Sequence, residues 1–125
     1  MGRTLISAWI LTVILGMGLV PAITGETDMK AQNLYRDCKA PEHSPTAALC
    51  IGFISGIGNM MHINGVIEKQ YQDRKLSPFA ICGDTISNGA MVQAFMNWAP
   101  KHPESANDDQ LLAVVKALRE TWPCQ

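Results

Sequence analysis

Residues 45–63 read PTAALCIGFISGIGNMMHI, and within them Cys50, Ile54, Ile57 and Met61 recur at the i, i+4, i+7, i+11 spacing of one helix face, widened by Ile51, Phe53 and Met60. Ser44 in front is a good N-cap and Pro45 a good first helical residue. The pattern predicts a helix over 45–63, the most apolar segment outside the first 22 residues, closed by the turn dipeptide Asn64-Gly65. Residues 66–77 (VIEKQYQDRKLS) have few apolar positions and either extend this helix or form a surface loop, ending at Pro78 in both cases.

Three further helices follow from the same kind of pattern. Residues 29–39 carry Leu34, Tyr35 and Cys38 at helical spacing, with Asp28 as cap and Pro41 as breaker. Residues 90–99 carry Met91, Val92, Phe95 and Trp98 behind Ser87, and Pro100 stops them. The last helix is expected to start at Pro103, with Glu104, Asp108 and Asp109 in its acidic first turns and Lys116 and Arg119 toward its basic end. Leu111, Val114, Val115, Leu118 and Trp122 form its inward stripe. No strand pattern or internal repeat interrupts the series, so the expected fold class is all-α, a small domain of four or five helices.

The start of the chain changes the cellular picture. Arg3, an apolar run over 5–20 and the small residues Val20 and Ala22 have the form of a secretory signal peptide, cut near Ile23. The domain is then 23–125, enough for one core, and it is exported. The whole chain has a formal net charge of −1, and a leader holding Arg3 but no acid leaves the remainder more negative. That balance offers no basic stripe for nucleic acid.

Four cysteines in an exported domain favour disulfides. Cys38 ends the first helix and Cys50 begins the second, so the short connection brings their sulfurs together. Cys82 precedes the third helix and Cys124 follows the fourth, so a hairpin about residues 100–103 joins them at its open end. The expected pairs are Cys38 with Cys50 and Cys82 with Cys124.

Other chemistries fit less well. No C-x-x-C or H-x-x-x-H pair supplies a metal site, Cys82 near a helix start with a distant His is a weak nucleophile signal because every cysteine already has an expected mate, and Asp108-Asp109 reads as a pair of first-turn helix acids. His43 and His102 lie in proline-rich loops as exposed, idle histidines, and His62 is a helix-boundary residue. Neither catalytic residue, cofactor nor metal is expected. Gly52, Gly56 and Gly58 cost helix propensity, so a neighbouring helix or a second subunit should approach there.

The segments LYRDCK, LCIGFISGI, CGDTIS, FMNWAPKHPE and VVKALRETWPC together resemble the Rap/Tai immunity proteins of bacterial type VI secretion systems. The resemblance spans most of 23–125 and rests on scaffold positions such as Cys38, Cys50, Cys82, Pro103, Leu118 and Cys124. It implies a small, periplasmic, disulfide-bonded helical homodimer that binds and blocks a papain-like peptidoglycan amidase effector, protecting the producing cell and its siblings. The expected plug is one of two connections, 70–75 (QYQDRK) or 100–104 (PKHPE), with Tyr71, Asp73, Arg74, Lys101 and His102 as candidate partner-binding residues and Gly52 and Gly56 as candidate dimer packing. The alternative is a periplasmic chaperone resembling the Hde-type acid-stress proteins, which would bind unfolded clients at low pH. Against it, Met60, Met61, Met91 and Met96 fall on or beside helical stripes as core residues.

Overall fold

A computed structural model describes residues 28–71 and 77–125. The expected signal peptide over 1–22 and its cleavage point lie outside the described residues. Four α-helices, α1 (Ala31–Cys38), α2 (Pro45–Gln70), α3 (Asn88–Trp98) and α4 (Gln110–Thr121), pack as a single all-α domain, with two short 3-10 turns, Ala99–Lys101 and Pro103–Ser105, between α3 and α4. No strand occurs among the described residues, only an isolated antiparallel bridge between Lys30 and Asp109.

Both disulfides form as the topology requires. Cys38 is bonded to Cys50 and Cys82 to Cys124, with sequence separations of 12 and 42 residues. By loop entropy these stabilise the domain by about 3 and about 4 kcal/mol. That is a large share of what a domain of this size retains.

Ser44 caps α2 by accepting from the Ala47 N–H at 3.1 Å, and Ser87 caps α3 by accepting from the Ala90 N–H at 3.2 Å. The α1 cap differs from expectation. Lys30, not Asp28, is the N-cap residue, and its side chain makes no capping bond. The free N–H groups of Ala31 and Gln32 donate instead to the carbonyls of Asp108 and Ala106, at 2.9 and 3.0 Å.

This tertiary cap also explains why α4 starts later than Pro103. With the Ala106 and Asp108 carbonyls committed to α1, and the Gln110 N–H to the Met29 carbonyl at 2.7 Å, residues 106–109 cannot close helical turns. Asp109 becomes the α4 cap, accepting from the Leu111 N–H at 2.8 Å, while Asp108 pairs with Lys116 at 2.7 Å. The acids expected inside the first helical turns therefore sit in front of the helix.

Asn64-Gly65 is likewise no turn. The 26-residue α2 runs through it to Gln70, about 39 Å in all. Gly65 is buried where the 80–82 segment crosses the helix, and a Cβ there would overlap the Ile81 carbonyl. Glycine serves here for close backbone approach, not for a left-handed φ.

The core gathers Leu34 of α1, Cys50, Ile54 and Met61 of α2, Ile81, Met91, Phe95 and Trp98 around α3, and Val114 and Leu118 of α4. Gly58 fits against Met91 and Leu118. Ile51 and Met60, expected to widen the inner stripe of α2, face outward, and so does Leu111 of α4. Ala113 and Ala117 are fully buried in its place.

Candidate partner interface

The connection that carries Lys101 and His102 is held by a bonded cluster of side chains. Pro100 ends α3 as expected, and the chain tightens into the turn Ala99–Lys101 before Pro103 starts the next turn. His102 lies four residues after Trp98, and their rings stack with centroids 4.2 Å apart and planes 19° from parallel. The Trp98 Nε1–H donates to Glu120 Oε2 of α4 at 2.7 Å. His102 Nδ1 is 2.9 Å from Glu104 Oε1, and Nε2 is 3.5 Å from Glu120 Oε2. His102 is thus no idle loop histidine, and its side chain keeps only 29% of its surface exposed.

The local electrostatics follow from these contacts. The Glu104 carboxyl is held below the ordinary glutamate value, first by a hydrogen bond from its own backbone N–H and then by the His102 ring. Asp108 is likewise held low, first by Lys116 and then by the Ser105 hydroxyl. Beside the cluster a half-open apolar slot of about 170 Å³ runs between the 98–106 connection and Ala31, Gln32 and Tyr35 of α1. Lys101 stands exposed on the outer side.

The outer face of α2 has the opposite character. From Pro45 to Ile67 the helix contains no Asp, Glu, Lys or Arg. Leu49, Met60 and Ile63 are 74%, 66% and 58% exposed, and space is open above both Gly52 and Gly56. Alongside, Ile57, Met60, Phe79, Leu111 and Val115 line an apolar groove of about 300 Å³. By length and composition α2 could cross a bilayer, yet its inner stripe belongs to the core. Gly52 and Gly56 therefore meet no neighbour among the described residues, in contrast to Gly58.

The predicted partner residues do not all fall on described ground. Lys101 and His102 share one connection, Tyr71 caps the far end of α2, and Asp73 and Arg74 lie outside the described residues. The spacing of Trp98 and His102 could have signalled their stack, but Glu120, 22 residues from Trp98, gives no local sign. The cysteine chemistry is settled by the disulfides: Cys82 is bonded to Cys124 and has no thiolate to offer. His62 Nε2–H donates to the Gly83 carbonyl at 3.0 Å, a structural tie between α2 and the 80–86 segment. Among the described residues no group of three or more His, Cys, Asp or Glu is placed to hold a metal ion.

The family model for Rap1a immunity proteins matches residues 30–124, which is the helical domain from the foot of α1 to the last cysteine. The chain belongs to the Rap1a immunity protein family. No curated protein and no solved structure matches it. Rap1a family membership makes this an immunity protein and implies that it binds a partner effector. For a Rap1a protein the question posed by the surface is which face meets that effector.

Proposed function

We propose that the protein is a periplasmic immunity protein, exported by cleavage of residues 1–22, whose 23–125 domain binds and occludes a papain-like peptidoglycan amidase effector of a type VI secretion system. The family match over 30–124 carries this reading. The structure is compatible with it in one specific way: the 98–105 connection is braced by a ring stack and side-chain bonds, so little ordering cost falls due when it enters a substrate groove. Lys101 and His102 present its edge, and Tyr71, Asp73 and Arg74 form the second candidate contact. The outer face of α2, with Gly52 and Gly56 at its centre, pairs with a second copy to give a homodimer.

Capture tests this. The oxidised 23–125 domain, immobilised at neutral pH with periplasmic and secreted fractions of its own organism, should retain one hydrolase at fixed stoichiometry and inhibit it. Retention of many unfolded clients at acid pH alone would support the acid-stress chaperone instead, for which the exposed apolar face of α2 is the favouring observation.

A further inference from the structure

His102 is flanked on both ring nitrogens by carboxylates from different parts of the chain: Glu104 of its own connection at Nδ1 and Glu120 of α4 at Nε2. Ionised carboxylates only accept hydrogen bonds, and a neutral imidazole has one N–H to give. In its neutral form one ring nitrogen would therefore turn a lone pair toward a carboxylate oxygen. The imidazolium carries an N–H on both nitrogens, adding attraction to Glu120 at 3.5 Å to the Glu104 hydrogen bond, and its charge is drawn to the face of the Trp98 indole stacked on it. We infer that His102 is a proton-operated latch: on taking up a proton it fastens the turns Ala99–Lys101 and Pro103–Ser105 to α3 and α4, and on losing it those turns loosen.

The other charges around the ring fit this role. α3 contributes no charged residue, α1 contributes Tyr35 at the slot with Lys39 over its ring at 4.1 Å, and Lys116 of α4 is committed to Asp108 at 2.7 Å. Lys101 is the adjacent cation on the connection itself, and Arg119 the one beside Glu120. The two carboxylates are the groups in direct reach of the imidazole. The added contacts need the second ring proton, so the imidazolium makes them and the neutral ring does not. Glu104, held low, keeps its side of the latch ionised on the acid side of the range, about pH 5 to 8, in which histidine changes charge. Because His102 stands on the proposed contact edge, the latch would stiffen that edge in mildly acidic surroundings. Only this consequence rests on the immunity reading.

The test needs no partner. In the 23–125 domain the Trp98 indole N–H resonance, assigned through a Trp122→Phe variant, should follow one proton step between about pH 5 and 8. His102→Gln should abolish that step, and Glu104→Gln, an exposed change that leaves the fold intact, should move its midpoint to lower pH. A flat indole profile in the folded wild-type domain, or the same step retained in His102→Gln, would overturn the latch. Failure to find an effector would leave this titration unchanged, so the two readings fail separately.

Discussion

The four glycines of α2 divide between its two faces and do opposite things. Gly58 and Gly65 lie inward, where Met91, Leu118 and the Ile81 carbonyl occupy the space a side chain would need. Gly52 and Gly56 lie outward with nothing within 4 Å. The inner pair is explained by this fold, whereas nothing among the described residues packs on the outer pair. The difference teaches that apolar residues and glycines at helical spacing mark a face that will be covered, without saying whether the same chain covers it.

Gly65→Ala should be the most damaging change, costing about 3 kcal/mol, because the obstacle is backbone and must move. Chemical denaturation of the monomer measures it, and a neutral effect would remove the close-approach argument. Gly58→Ala should cost less, about 1 kcal/mol, since the obstruction is the flexible end of Met91 and alanine recovers helix propensity. Gly52→Ala and Gly56→Ala should each stabilise the dilute monomer by up to about 1 kcal/mol while weakening self-association in sedimentation. A loss of monomer stability there would break the contrast between the faces. Met60→Lys should leave folding within about 0.5 kcal/mol and abolish the proposed dimer. The smallest effect concerns pH. Asp108, whose carboxyl is held low by Lys116, should contribute stability above the ordinary aspartate range that disappears as pH falls through its folded-state value. Lys116→Met should flatten that acid limb in thermal scans.

Much of this fold was legible in the residues. Ser44-Pro45 and Ser87 start helices where they should because capping is local chemistry, and the disulfide pairs follow from helix order alone. The misreadings at Asn64-Gly65 and Pro103 share one cause. Asn64-Gly65 looked like a turn and Pro103 like a helix start because tertiary partners, the Ile81 carbonyl and the N–H groups of Ala31 and Gln32, cannot be seen from a local window. Periodicity places Met60 in the core, yet it is exposed, because on so apolar a helix the spacing does not tell inner from outer face. In the candidate interface, Lys101 and His102 were visible as loop residues, whereas Glu120 was not, since the chain folds back 22 residues to place it beside Trp98.

The central claim is that the braced 98–105 connection meets the effector while the outer face of α2 meets a second copy. Hydrogen exchange on the oxidised domain, at fixed concentration with and without its captured effector, tests it most directly. The account predicts that the effector slows exchange across residues 98–105, whereas residues 49–63 respond to protein concentration and not to the effector. Effector-dependent protection confined to residues 49–63, with 98–105 unchanged, would contradict it.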